Sequence, residues 1–196
     1  MDVSLRDISL YLKMRGAAPE GALAGRIEAM RAKALRAARP ASVWRRFRIE
    51  GGFAGAGAAR VAVSGSLARH MAGCRSAFLV CGTLGAGYDA FHRAAAAISA
   101  ADALIVQAIG AALMENAMDA AEDGIRHALA PGERMVRRYS PGFGDFPLSA
   151  GRDILALLDA PLKIGVSMTE SMLMVPSKSV SAVIGILPPD AARAAD

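Results

Sequence analysis

Two arginines, Arg137 and Arg138, stand directly before Tyr-Ser-Pro-Gly-Phe-Gly-Asp-Phe-Pro, residues 139–147. An arginine fork can take a carboxylate through two parallel hydrogen bonds. Glycine lets backbone approach a ligand closely, and proline fixes the turn. The ring faces of Tyr139, Phe143 and Phe146 could cover an adenine or a cation. The same composition also suits a packed structural turn. The residues alone leave both readings open.

A second candidate lies upstream. Leu104, Ala108, Ala111 and Glu115 follow three- and four-residue steps, and Asp119 and Glu122 continue the line. Glu115 therefore sits where an apolar helical stripe turns acidic. In one reading the stripe simply leaves the core there and its carboxylates meet water. In the other, Glu115 is a partly buried acid facing a cationic ligand group. Beside an arginine, such an acid would complete a site for both ends of an amino-acid zwitterion.

Other chemistries find no footing. His70, His92 and His127 lie on helical stretches with no nucleophile motif near them. No cluster has metal-ligand spacing, and no paired carboxylates sit in loops for glycoside chemistry. Gly82, Gly85 and Gly87 follow a strand-like run as G-x-x-G-x-G. That differs from the dinucleotide G-x-G-x-x-G and lacks the Lys-Ser/Thr of a phosphate loop, so a tight strand-to-helix turn is expected. No catalytic acid–base residue and no metal ligand is predicted. The chemistry on offer is ligand positioning.

These residues must be placed by a chain of 196 residues, 54% hydrophobic but only 5% aromatic, with a net charge of +5. That length suits one domain with a helical preface. Arg31, Lys33, Arg36, Arg39, Arg45, Arg46 and Arg48 make the first third basic, interrupted only by Trp44 and Phe47. A nucleic-acid surface would interleave more stacking aromatics, so a solvated face is expected, with a patch for an acidic partner as the other reading. No apolar run approaches the roughly 18 residues of a membrane span, and the charged opening residues lack signal-peptide order. Cys74 and Cys81 sit in apolar surroundings with no third ligand. A cytoplasmic protein with two buried thiols is expected.

Periodicity predicts two helices joined near residues 16–21, through Leu5, Ile8 and Leu12 and then Leu23, Ile27, Met30 and Leu35. Residues 42–50 and 59–65 predict strands around a flexible loop at 51–59, and 66–73 a short helix capped by Ser64 or Ser66. Residues 76–85 form a continuous apolar run suited to a buried central strand. Helix is expected from Asp89 to Leu129 with a break near Ser99, then a strand at 135–140. A short helix with Ser149 at its start and Pro161 after its end precedes strands around a Ser-, Thr- and Met-rich turn, the last being residues 180–187. Blocks of strands and helices favour an α+β fold. The expectation is a mixed or antiparallel twisted sheet with helices on one side. The expected units are a helical preface at 1–40, a domain at 41–190 and a frayed tail at 191–196.

The run R-Y-S-P-G-F-G-D-F-P (138–147), followed by M-T-E-S-M-L-M-V-P-S-K-S-V-S-A-V-I-G (168–185), resembles the activation domain of cobalamin-dependent methionine synthase in a free-standing short form. Residues 115–126, E-N-A-M-D-A-A-E-D-G-I-R, resemble that family's preceding helix. The resemblance implies binding of S-adenosylmethionine. Arg138 would hold the methionyl carboxylate, Pro141, Gly142 and Phe143 would shape the pocket, and Glu115 would face the cationic methionine portion. It also implies a role in reactivation: S-adenosylmethionine and one electron from a flavodoxin or reductase regenerate methylcobalamin on a methionine synthase (5-methyltetrahydrofolate–homocysteine methyltransferase). Cobalt is then the nucleophile and the sulfonium the leaving group, so no acid–base machinery is needed.

The departures from that pattern are specific. Phe143 stands where the large enzyme usually has tyrosine. D-A-F-H at 89–92 lacks the D-x-H-x-x-G spacing of a cobalamin module, so cobalamin is expected only on a partner chain: a methionine synthase lacking this domain, or another corrinoid protein. The N-terminal acidic contact and the C-terminal extension of the large enzyme's domain have no visible counterpart. Two alternatives accompany the main reading: a non-catalytic module that docks a corrinoid protein, and a reactivation partner of another corrinoid methyltransferase. Arg138 and Glu115 facing one cavity would favour S-adenosylmethionine binding. A filled cavity, or an Arg138 held in internal salt bridges, would favour the docking module.

Overall fold

The computed structural model describes residues 3–14, 19–56 and 59–189. In chain order they form α1 (Leu5–Tyr11), α2 (Gly21–Ala37), β1 (Ala41–Glu50), β2 (Phe53–Ala56), β3 (Ala59–Ala62), α3 (Gly65–His70), β4 (Ser76–Thr83), α4 (Ala86–Ile98) and α5 (Ala100–His127). Then come β5 (Arg134–Met135), α6 (Ala150–Leu158), α7 (Ala160–Ile164), β6 (Ser167–Met168), β7 (Met174–Val175) and β8 (Ser179–Leu187). The order β3-β2-β1-β4-β8-β5 makes a six-stranded antiparallel sheet, and β6 and β7 make a separate two-stranded ribbon.

The sheet is organised by β4, whose eight residues are all buried, as its uninterrupted apolar run predicts. It pairs β1 on one edge (Val43 opposite Cys81) and β8 on the other (Val183 opposite Leu79). Side chains alternate along a strand, so a strand buried throughout needs cover on both faces. Phe78 and Val80 pack with Ile105, Ile109 and Leu113 of α5. Leu79 and Cys81 pack with Ile154 and Leu158 of α6 and Leu67 of α3. The α+β class holds, but the helices lie on both faces rather than on one.

Ser99 separates α4 from α5 as the sequence suggests: its extended backbone breaks the helix, and its hydroxyl accepts from the Asp102 amide at 3.3 Å. The buried side of α5 is carried by Ile105, Ile109 and Leu113, while Leu104, read as part of the apolar stripe, is exposed. Helices α1 and α2 pack against α5, with Ile8 and Ile27 fully buried there. Arg26 Nε adds a 2.6 Å ion pair to Asp102. A Cβ on Gly87 would lie 2.7 Å from the Ala37 carbonyl oxygen, so this glycine serves close helix packing.

Two strand expectations change. The presumed loop at 51–59 contains β2, because Gly51 and Gly52 (φ 56° and 80°) make a two-residue turn that folds it back on β1. Residues 57 and 58 of that stretch, residues 16–18 of the first helix connection and the tail at 191–196 lie outside the described residues. The strand expected at 135–140 has ladder pairing only at Arg134–Met135. Beyond it, Val136 N–H donates to Gly185 O and Tyr139 N–H to Val183 O, each at 2.9 Å. Three steps on one side match two on β8, the extra residue of a β-bulge at Arg137–Arg138. No helix among the described residues is long and apolar enough to cross a membrane.

Leu113 has no solvent exposure where α5 meets the sheet. Leu113→Ala is expected to cost about 2–5 kcal/mol through lost contacts and a residual cavity. A lower denaturant midpoint at unchanged slope checks this.

Candidate ligand-binding site

Successive side chains of an extended segment alternate, so Arg138 and its neighbour Tyr139 point to opposite sides. Tyr139 packs into the core beneath α6, while Arg138 reaches across to α5. There its Nη1 donates to Asp119 Oδ1 at 2.9 Å and to Glu122, and its Nη2 donates to Glu115. The three acids stand at i, i+4 and i+7, one face of the helix, where like charges repel unless a cation lies among them. Arg138 and Glu122 keep side-chain exposures of only 22% and 14%. Burial works against the charge on Arg138. Hydrogen bonds to Glu122 and Asp119 and the charge of Glu115 outweigh it and raise the guanidinium pKa above its ordinary value. A guanidinium has five N–H groups. Three are used, leaving Nε–H and one Nη2–H within the described residues.

Arg138 and Glu115 also form one wall of an open cavity of about 510 Å³, within the range of small-molecule sites. Ser140, Pro141, Phe143 and Leu148 contribute a second wall. Met168, Met172, Leu173 and Met174 bring a third from the β6–β7 ribbon, and Ser177, Ser179 and Ser181 a fourth from the start of β8. The ribbon turn is clamped by Arg152, whose Nη2 donates to Thr169 O at 3.0 Å and Glu170 O at 3.2 Å. Ser181 Oγ is buried against this cavity with no hydrogen-bond partner among the described residues. Such an orphan is costly unless a ligand or water meets it.

The aromatic turn is both a packed turn and a cavity wall. Phe146 is buried, and the Tyr139 ring centroid lies 6.2 Å from that of Phe146, 5.9 Å from that of Phe143 and 4.9 Å from that of His70. Phe143 itself is 62% exposed at the cavity mouth. Asp145 fastens the turn to α3: its Oδ1 accepts the Ser66 amide at 2.7 Å and also the Ser66 hydroxyl. Gly142 donates to Phe146 O at 2.8 Å with φ 96°, and a Cβ there would lie 3.0 Å from Leu148 Cδ2. Of the residues singled out from sequence, Glu115, Arg138, Pro141 and Phe143 line the one cavity. Gly142 sits behind it and lets Leu148 close in. The methionine and serine walls were not anticipated as site residues; the dense Met and Ser content of 168–181 was their signal.

Two of the three histidines have structural neighbours: His70 Nε2 lies 2.7 Å from Arg137 O, and His127 Nδ1 2.6 Å from Asp123 O. Both cysteines are free, and burial pushes the Cys81 thiol up to about 12. No group of residues that could hold a metal occurs among the described residues. A larger groove of about 770 Å³ lies at the other end of β1 and β4, lined by Arg46, Arg48, Arg75 and Cys74. Arg46 there is already engaged with Ser76 and Glu133, and the groove shares no residue with the Arg138 cavity.

Residues 85–191 match the family described as vitamin B12 dependent methionine synthase, activation domain. The chain belongs to this activation-domain family. The matched segment is more than half of the chain and contains every residue lining the cavity. Among solved structures, the MetH reactivation domain bound to AdoHcy is similar, with a TM-score of 0.59 and 16% identity over 92% of this chain and 74% of that one. That likeness extends the shared activation-domain fold across regions the family match does not reach. No curated protein matches the chain.

The turn that presents Pro141 and Phe143 depends on Asp145. Hydrogen bonds from Ser66 hold its carboxyl below the usual carboxylate range. A depressed folded-state pKa contributes stability above the unfolded value of about 4 and loses it as pH falls through the folded value. Wild type should therefore exceed Asp145→Ala in stability at neutral pH, with the gap closing on acidification below about pH 4. Denaturant midpoints of both proteins across that range check the sign.

Proposed function

We propose that this chain binds S-adenosylmethionine in the Arg138 cavity and presents it for reductive remethylation of cob(II)alamin carried by a methionine synthase that lacks such a domain. The observation that carries the reading is the pairing of Glu115 with an Arg138 that keeps two N–H groups, on one wall of an open cavity. Those N–H groups suit a carboxylate, and Glu115 suits the neighbouring ammonium. The orphan hydroxyl of Ser181 suits a polar atom of the adenosyl part, and the thioethers of Met168, Met172 and Met174 give a soft, adaptable wall. Pro141 and Phe143 shape the entrance, and Gly142 sets the turn behind them. Phe143 keeps a ring where the large enzyme usually has tyrosine, without the hydroxyl.

When bound, S-adenosylmethionine supplies a methyl group on a sulfonium. The residues of this chain then align it and exclude water. Phe143, Leu148 and Leu173 leave an exposed apolar rim around the mouth, suited to a docked corrinoid protein. A different corrinoid methyltransferase would use the same rim. The electron would come from a flavodoxin or reductase. The free thiols Cys74 and Cys81 suit a reducing cytoplasm.

A second reading, a docking module that does not use S-adenosylmethionine, is favoured by one observation: Arg138 already makes three internal ion pairs. The open cavity, the two spare N–H groups and the unpartnered Ser181 hydroxyl weigh against it.

Calorimetry separates the two. Wild type should bind S-adenosylmethionine, and Arg138→Lys, which keeps a charge among the acids but loses the fork, should bind about 1.5–3 kcal/mol more weakly. No binding by wild type, alone or with a corrinoid partner, leaves the docking reading standing. With a domain-less synthase in the Co(II) state, a reductant and S-adenosylmethionine, methylcobalamin absorbance should appear only when this chain is added.

A further inference from the structure

A smaller cavity of about 230 Å³ opens beside the first, between α1, α5 and the start of β8. It shares Glu115, Ser177, Ser179 and Val180 with the main cavity and adds Tyr11, Met114 and Lys178. The two spaces thus share Glu115 as a wall residue, with Arg138 lining the first and Lys178 the second.

Lys178 is placed with some rigidity. Its carbonyl accepts the Leu84 amide at 2.9 Å, and its stem runs over Gly110 of α5, where a Cβ would lie 2.9 Å from the lysine Cε. The Gly110 position is therefore a gap in the helix surface filled by the Tyr88 ring, 2.7 Å from such a Cβ, with the lysine stem beside it. The half-buried ammonium makes no ion pair within the described residues. The nearby acid whose charge it feels is Asp89, and both Asp89 oxygens already accept from Ser177, at 2.7 Å from its amide and 2.8 Å from its hydroxyl. Burial pushes the lysine pKa down, with Asp89 opposing. This is a cation without an ion-pair partner among the described residues, on the wall of the side cavity next to the ligand cavity.

Arg138 is in the opposite situation. Three carboxylates surround one guanidinium, so its immediate surroundings carry excess negative charge even though two N–H groups remain. It offers a carboxylate geometry without net attraction. Lys178 offers a positive charge that no ion pair among the described residues compensates.

We propose that Lys178 is a second carboxylate-binding cation of the site, acting with Arg138 from the side cavity on the amino-acid end of the ligand. This rests on the S-adenosylmethionine reading above and assigns the specificity for an α-carboxylate within it. Glu115 holds the ligand ammonium between the two cations, and the phenol of Tyr11 covers the side cavity.

The test is calorimetry of wild type, Lys178→Met and Lys178→Arg with S-adenosylmethionine and with its decarboxylated analogue. Lys178→Met keeps the stem over Gly110 and removes only the charge. It should bind S-adenosylmethionine roughly tenfold or more weakly, the effect of one charge-assisted contact. The decarboxylated analogue should bind wild type and Lys178→Met alike, and Lys178→Arg should recover most of the lost affinity. Unchanged binding of S-adenosylmethionine by Lys178→Met, or an equal loss for both ligands, overturns this role while leaving the S-adenosylmethionine reading intact. Failure of wild type to bind either ligand overturns both.

Discussion

The site depends on the fan of ion pairs between Arg138 and the acidic face of α5. Glu115, Asp119 and Glu122 repel one another along one helix face, and a cation from outside the helix, Arg138, offsets that repulsion. That cation comes from the bulged segment next to β8, so the ion pairs tie the sheet edge to the long helix. Once Arg138 is fixed, Tyr139 must turn to the other face of the sheet, and the aromatic turn after it is anchored by Tyr139, Phe146 and the Asp145–Ser66 contact. The cavity is the space left between this turn, the β6–β7 ribbon and the acidic face.

Much of this architecture is visible in the residues. The eight-residue apolar run of β4 announces a central strand because few other places can bury an unbroken stretch of that length. Ser99 marks a helix break because its hydroxyl competes for a backbone amide. The same run of β4 should also have implied cover on both faces, since alternate side chains point opposite ways; α6 and α3 provide it. β2 was hidden because its glycines read as flexibility, whereas Gly51 and Gly52 serve a tight hairpin that needs positive φ. The bulge leaves no clear mark in sequence, since it is defined by pairing with a strand about fifty residues away.

The site was half legible for a related reason. Arg138, Pro141 and Phe143 belong to one short run, and helical spacing picks out Glu115. Their convergence, and the methionine and serine walls opposite, arise from contacts across the sheet that no local pattern encodes. Asp119 and Glu122 were visible as a continuation of the stripe, but their role as partners of Arg138 appears only in three dimensions. Arg138 is therefore a structural cation and, in the proposed function, also the anchor of the ligand carboxylate. The two roles coexist because a guanidinium has more donors than three carboxylates have used.

That coexistence is the central claim, and a crystal structure of the chain soaked with S-adenosylhomocysteine tests it most directly. The account predicts the ligand carboxylate within hydrogen-bond reach of Arg138 Nε and Nη2, with the Asp119 and Glu122 contacts kept and the adenosyl part directed toward Ser181. A ligand bound elsewhere, or a cavity without ligand at saturating concentration and Arg138 unmoved among its acids, would contradict it.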